Sequence, residues 1–232
     1  MRLRRERLAP LHKARRTFRV FRLGATPESQ QSASMPLHEL PSLPERLDTE
    51  RLFLRPYRGN DAPWYYEMAQ RNRTHLARHE SANDIFNIHC ESDAAAVVGA
   101  FAQNWHVRSA FPLGVFLRET EEFAGQIYLG VTNAALPALN LGFFADCTHV
   151  NQGYLTEAVR RVLAFAFDNL HAHRVGLWCD DTNTPSRRIA ERCGFQLEGR
   201  VREDKRHPDD TITGSLCYGL LQRDYRAFVA NG

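Results

Sequence analysis

Hydrophobic positions change their period along this chain, and the changes mark its elements. Across residues 153–170, Leu155, Ala158, Val159, Val162, Ala166 and Leu170 recur at helical spacing, while Thr156, Glu157, Arg160, Arg161 and Asp168 hold the opposite side. This pattern predicts an amphipathic helix with one buried face. Before it, residues 140–145 read as a strand; after it, Val175, Leu177 and Cys179 alternate as a strand over 174–179. Residues 185–193 predict a short helix that Gly194 can terminate, followed by strands at 195–202 and 213–221. Upstream, the pattern predicts a strand at 51–55 and a helical region from Asp61 with Pro63 in its first turn. A second helix follows at 92–104, then strands at 113–118 and 123–132 across a charged turn. The mixed order predicts one α/β (α+β) domain over residues 44–232, with no internal repeat.

Residues 1–43 lack such periodicity. They are Arg-rich, then Ser/Gln/Pro-rich, and are expected to form a disordered arm. Residues 1–24 hold nine Lys/Arg against one acid, Glu6, so a chain of net charge +3 is acidic outside the arm, at −5. Three accounts of the arm stand: a start assigned too early, with Met35 opening the domain; an Arg-rich targeting leader; or an arm that binds nucleic acid. Nucleic acid is not the expected partner of the domain. No run approaches the roughly 18 to 20 apolar residues of a membrane span, so no membrane role is expected. The cysteines Cys90, Cys147, Cys179, Cys193 and Cys217 are odd in number and scattered, which suits reduced thiols in a cytoplasm. His171, His173 and Cys179 are close in sequence but have no second cluster, so no metal is expected.

The candidate chemistry begins where the predicted strand ending at Ala145 meets the long helix. A polar turn with Asn151, Gln152 and Gly153 would cluster backbone N–H groups that have no helical partner, and the helix dipole adds about half a positive charge there. A pyrophosphate would fit, although any strand-to-helix turn shares some of this character. Neither GxxxxGK[ST] nor GxGxxG with a distant acid occurs, and GxSxG and HExxH are also absent.

The run Leu141-Gly142-Phe143-Phe144-Ala145-Asp146, followed by Asn151-Gln152-Gly153-Tyr154-Leu155-Thr156-Glu157-Ala158, resembles the acetyl-CoA motif of the GNAT superfamily of N-acetyltransferases. Asn183-Thr184-Pro185-Ser186 resembles its N-x-x-S element, Arg192-Cys193-Gly194-Phe195 its helix exit, and Glu198-Gly199 the pair that commonly follows. Residues 48–55 are similar to the first strand of the RimJ/RimL-like branch. The resemblance implies a GNAT fold, a mixed, mostly antiparallel, splayed sheet flanked by helices. It also implies acetyl-CoA as co-substrate. Its pantetheine arm would pair with the backbone of Phe143, Phe144 and Ala145, and its pyrophosphate would meet the amides of Asn151, Gln152, Gly153, Tyr154, Leu155 and Thr156. Val150 and Leu155 depart from the usual loop pattern, which has Gln/Arg and a small residue at those positions.

Acetyl transfer to an amine needs a neutral nucleophile, a donor for the oxyanion and a proton for the departing thiolate. The resemblance places an oxyanion donor near the Phe143 amide and Ser186 beside the thiolate, where Ser186 could otherwise cap a helix. Asn183 either caps the same helix or touches the cofactor. Glu203, with Asp204 beside it, lies where RimL-like enzymes place a carboxylate, and Glu203 is the candidate general base. The alternative for Glu203 is a solvated acid among Arg200, Arg202 and Arg206. Glu157 is expected to stabilise the helix start. Residues 72–86 should border the acceptor cleft, with Arg73, His75, Arg78, His79 and Glu80 suggesting a polar substrate end. Freeing an α-amine of pKa near 8 at pH 7 costs about 1 to 1.4 kcal/mol, against about 4.6 kcal/mol for lysine. The RimJ/RimL-like resemblance implies a primary amine as acceptor, foremost a protein N-terminus, ribosomal or other; the cost above is consistent with it, as it is with small-molecule amines of lowered pKa. The rivals are a small-molecule amine or antibiotic acetyltransferase and a non-catalytic acyl-CoA-binding module. A homodimer is left open.

Overall fold

The computed structural model describes residues 42–133 and 135–231. The arm expected over 1–43, apart from its last two positions, lies outside the described residues, as does Met35. Within them the sheet strands are β1 (Leu47–Asp48), β2 (Leu52–Pro56), β3 (Ala110–Leu117), β4 (Phe123–Asn133), β5 (Ala138–Ala145), β6 (Arg174–Asp180), β7 (Gln196–Arg206) and β8 (Ile212–Leu221). They are ordered β1-β2-β3-β4-β5-β6-β8-β7. Among the described residues every pairing is antiparallel except that of β5 with β6.

The central strands are apolar on both faces because helices cover both sides of them. In β2, Leu52 and Leu54 enter one core while Phe53 enters the other; in β5, Leu139 and Leu141 enter the first and Phe144 the second. The second core is filled by α1 (Ala62–Leu76) and α2 (Glu91–His106), through Tyr65, Met68, Ala94, Val98 and Phe101. The first is filled by α3 (Tyr154–Ala164), whose Ala158, Val159 and Val162 are fully buried. Burying one such large aliphatic or aromatic side chain contributes about 1.5 to 3 kcal/mol, so the stripe read from the sequence holds this helix to the sheet. The helix then widens into a π-helical turn over Phe165–Asn169, and the predicted single helix to residue 170 is in fact these two pieces.

Pro63 lies in the first turn of α1, where its missing N–H costs nothing. Asp93 caps α2 by accepting from the amides of His89 (2.9 Å) and Cys90 (3.2 Å). A short helix, α4 (Thr184–Arg192), ends at Gly194, whose φ of 84° is the left-handed stop expected from the sequence. The last helix, α5 (Gln222–Ala230), and the short β1 have no counterpart in the predicted order. No residue of α5 is fully buried. It docks through Tyr225, stacked on Phe167 at 4.6 Å, and Phe228, which sits over Gly194. Two anchors among charged residues make too weak a stripe to read from sequence.

The parallel pair fixes where a site can form. A parallel connection needs a crossover, which α3 supplies, and the β5–β6 register runs only from Ala138↔Arg174 to Leu141↔Leu177. Beyond that point Gly142 to Ala145 pair with β4 alone, and a Cβ built on Gly142 would meet nothing within 4 Å. The sheet is therefore split on one side of Leu141. The other side of β5 is tight: a Cβ at Gly125 of β4 would come 2.5 Å from the Phe144 carbonyl oxygen and 2.9 Å from a Leu155 methyl. Gly125→Ala should push β5 and the start of α3 and lower unfolding free energy by about 1 to 3 kcal/mol, the usual cost of overpacking. Urea denaturation measures it.

Candidate active site

The site is built around the turn between β5 and α3. Asp146, fully buried just past β5, accepts from Arg71 Nη2 (2.7 Å), Asn72 Nδ2 (2.9 Å), the Thr148 amide (3.0 Å) and the Thr148 hydroxyl (2.6 Å). Asn72 Oδ1 in turn accepts from the Cys147 amide at 2.8 Å. Burial works to raise the Asp146 carboxyl, but these hydrogen bonds outweigh it and hold the group below its ordinary value. The carboxylate thus ties the turn to α1.

Past that anchor, Asn151 (φ 61°) and Gly153 (φ 79°) both adopt left-handed backbone, which curls the chain tightly into α3. The first amide turned inward is that of Glu157, which donates to the Gly153 carbonyl at 3.1 Å. Among the described residues no protein acceptor meets the amides of residues 151–156. Asn151, Gln152 and Gly153 are exposed among the described residues. Amide donors and the positive end of the α3 dipole converge on one solvent-facing point, an arrangement that suits an anion. Arg51 braces it by donating to the Gln152 carbonyl (3.1 Å) and lying 4.8 Å over the Tyr154 ring. Glu157 accepts from the Thr49 hydroxyl (2.6 Å) and from Arg51 Nε (2.7 Å), which joins α3 to the β1–β2 turn. An open groove leads away from Gly153 past Thr156, Arg160 and Arg192.

Where β5 and β6 part, a second cavity opens. Its walls include Gly142 and Phe143 on one strand, Trp178 and Asp180 on the other, and Asn183 and Ser186 at the start of α4. His79 and Glu80 close it from the loop after α1, and Lys205 reaches it from β7. Asn183 is the α4 cap, because its Oδ1 accepts from the Ser186 amide at 3.2 Å. That leaves the Ser186 hydroxyl with no protein partner among the described residues.

The charged wall of this cavity is an ordered network. Asp180, 1% exposed at its side chain, accepts from the Thr182 amide (2.8 Å) and from the Thr182 and Thr213 hydroxyls, and its Oδ2 lies 3.0 Å from His207 Nε2. Burial pulls its carboxyl upward, yet the hydrogen bonds from Thr182 and Thr213 win and hold it down at about 2. On its far side His207 Nδ1 donates to the Arg78 carbonyl at 2.7 Å, so the loop bearing His79 and Glu80 is fastened to β6 and β8. Desolvation lowers the His79 pKa, and its buried Nδ1 has no hydrogen-bond partner; the nearest carboxylate oxygen, of Asp180, is 4.0 Å away. Desolvation pushes the Glu80 carboxyl up to about 7, against the pull of Lys205 and a hydrogen bond from Asn83. Burial likewise raises the Cys179 thiol to about 11, keeping it neutral.

The sequence-derived residues thus fall into two groups. Phe143, Asn183 and Ser186 meet at the cavity, and residues 151–156 form the turn whose amides have no protein acceptor among the described residues. Phe144 turns its ring into the α1–α2 core, leaving only backbone toward the split. Glu203 is elsewhere: it is exposed, with φ 55°, in a β7 bulge between Val201 and Lys205, and it does not line the cavity. Asp204 accepts from the Ser215 hydroxyl at 2.9 Å. The carboxylates that do line the cavity are Glu80 and Asp180. Glu80 was legible as a polar cleft residue, whereas the tie of Asp180 to His207 and of His207 to Arg78 carries no sequence signal, because these contacts span 27 and 129 residues.

A mixed sheet parted beside its parallel pair, with bare amides at the next helix start, is the architecture of an acyltransferase. Residues 51–196 match the Acetyltransferase (GNAT) domain, and the chain belongs to that family. The probable N-acetyltransferase YjcK of Bacillus subtilis is 25% identical over 161 residues, covering 68% of this chain and 87% of that protein. Two solved structures share the fold. Mycobacterium smegmatis RimJ, in complex with a CoA disulfide, has a TM-score of 0.67 at 23% identity, over 78% of this chain and 89% of that one. RimL, a ribosomal-protein α-N-acetyltransferase solved with coenzyme A, has a TM-score of 0.69 at 17% identity, over 76% of this chain and 98% of that one. Among the described residues no helix is long and apolar enough to cross a membrane.

The Asp180 network gives a pH signature. Its carboxyl sits at about 2 when folded, against about 3.9 unfolded, so its stabilisation is complete above pH 4 and is lost as pH falls toward 2. Between pH 7 and pH 2.5 the wild type should lose about 2 kcal/mol more stability than Asp180→Asn, measured by urea titration at each pH.

Proposed function

We propose that this acetyltransferase moves acetyl from acetyl-CoA to a primary amine, foremost the α-amine of a protein N-terminus, by direct attack with general-base help. The observation that carries the reading is the parting of β5 from β6 between the turn at 151–156 and the cavity that holds Ser186. A diphosphate on amides 151–156 and a pantetheine arm along Phe143 to Ala145 would bring the thioester to that cavity. The guanidinium groups of Arg160 and Arg192, which line the groove beyond Gly153, suit the remaining phosphate of CoA. The free Ser186 hydroxyl can protonate the leaving thiolate, and a β5 amide near Phe143 can take the oxyanion.

The acceptor would enter across the cavity mouth. Trp178 lines it and is 55% exposed, an apolar surface that suits a peptide chain. The fold shared with a ribosomal-protein N-acetyltransferase agrees with such an acceptor. A cytoplasmic reaction belongs to the same reading, supported by five free thiols.

Titration calorimetry with acetyl-CoA, paired with thiol release on peptides with free or blocked N-termini, tests the proposal. Turnover should follow the free α-amine by about tenfold or more over a lysine side chain, given its lower protonation cost. Binding without turnover on any amine would favour an inert acyl-CoA module. Ser186→Ala should lower kcat about 10- to 100-fold with acetyl-CoA affinity unchanged, as loss of a proton donor does.

A further inference from the structure

The reaction proposed above needs a group to take a proton from the acceptor amine, and the β7 acids suggested by the sequence do not reach the cavity. We infer that Glu80, carried by the loop after α1, is the general base, and that the Asp180–His207 pair is what positions it. The inference rests on the acetyl-transfer reading.

Three observations support it. Glu80 shares the cavity with Ser186 and Gly142, whereas Glu203 lies outside it in an exposed bulge. The backbone around Glu80 is fixed on both sides: its amide donates to the Leu76 carbonyl (2.9 Å) and its carbonyl accepts from the Asn83 amide (2.8 Å). Two positions earlier, the Arg78 carbonyl is held by His207, which is held in turn by Asp180 and Thr213. A base must be placed before its affinity for protons matters, and this loop is fastened from two directions.

The second cavity carboxylate is a poorer base. Asp180 already accepts three hydrogen bonds, from the Thr182 amide and the Thr182 and Thr213 hydroxyls, and is held at about 2, so it has little tendency to take a proton near neutral pH. Desolvation leaves Glu80 at about 7, near the pH at which a base is most effective. The charged or titratable groups that share the cavity with Glu80 are Lys205 from β7, the adjacent His79 and, from β6, Asp180 and the neutral Cys179 thiol. Of these, Lys205 stabilises the ionised form.

The step balances without another reagent. The amine lone pair bonds to the thioester carbonyl carbon while one N–H proton passes to the Glu80 carboxylate. Collapse of the tetrahedral adduct breaks the C–S bond, and the thiolate takes the Ser186 hydroxyl proton. Glu80 then releases its proton to water, from which Ser186 is reprotonated. The products are the N-acetyl amine and CoA thiol.

The test is the pH profile of kcat/KM on an N-terminal peptide that the wild type acetylates. Two groups must be deprotonated, Glu80 near 7 and the α-amine near 8, so the wild-type logarithmic slope should be about two below pH 7 and about one between 7 and 8. Glu80→Gln should lose the steeper limb and fall about 100-fold at pH 7.5, the usual effect of removing a general base. Glu80→Asp, which keeps a carboxylate, should retain both limbs at an intermediate rate. Acetyl-CoA affinity by calorimetry shows that each variant is folded. A Glu80→Gln enzyme with wild-type rate and both limbs overturns the assignment, as does a loss confined to Glu203→Gln. If the wild type acetylates no amine, the proposed activity fails and the assignment fails with it; if the wild type turns over and Glu80→Gln matches it, only the assignment fails.

Discussion

The end of hydrogen bonding between two parallel strands, at Leu141 and Leu177, is the constraint on which the rest of this structure depends. A continuous sheet would leave β5 no free edge and no passage between its two faces. Because the strands separate, the walls of the resulting cavity come from both sides of the sheet: Phe143 from the face packed by α3, Asp180 and Trp178 from the opposite one. Two substrates could then approach one point from different directions, as the proposed direct transfer requires.

A split sheet has lost pairing energy and needs to be held open in one geometry. Two buried carboxylates do this, one at the end of each parted strand. Asp146 binds the turn after β5 to α1 through Arg71 and Asn72, and Asp180 binds the end of β6 to β8 and to the loop after α1 through Thr213 and His207. Each is surrounded by donors, which is the condition under which a buried charge is tolerated. Both ultimately reach α1 or the loop that follows it, so that segment is tied to the ends of both parted strands. The donor-rich setting that depresses Asp180 and the desolvated one that raises Glu80 lie within one cavity, and their separation suits one group to architecture and the other to proton transfer.

The sequence made most of this readable where the signal is local. The α3 stripe, the Gly194 stop, and the polar turn at Asn151 to Gly153 are each set by residues within a few positions of one another, and each lies where its pattern indicates. Capping by Asn183 is equally local. The placement of Glu203 was harder to read because β7 does not keep a regular register: its bulge after Val201 turns Glu203 out to solvent, and alternation cannot reveal a slip of that kind. The His207–Asp180 tie joins residues 27 apart, and the link from His207 to Arg78 spans 129. Such contacts are products of tertiary folding and leave no period in the chain. The helix α5 escaped notice for an energetic reason, since it buries little and docks by two aromatic rings.

The same bulge has a consequence for solubility. β7 is the outermost strand on its side of the sheet, long, and exposed at nearly every position, with Leu197 and Val201 uncovered. A flat outer strand of that length would be a template for another chain to continue the sheet, and from there to fibrous growth. The left-handed residue at Glu203 interrupts the row of donors and acceptors halfway, and the surrounding charges of Arg200, Arg202 and Lys205 repel a like copy in register. An irregularity that obscured the sequence reading therefore shields the protein from its own aggregation.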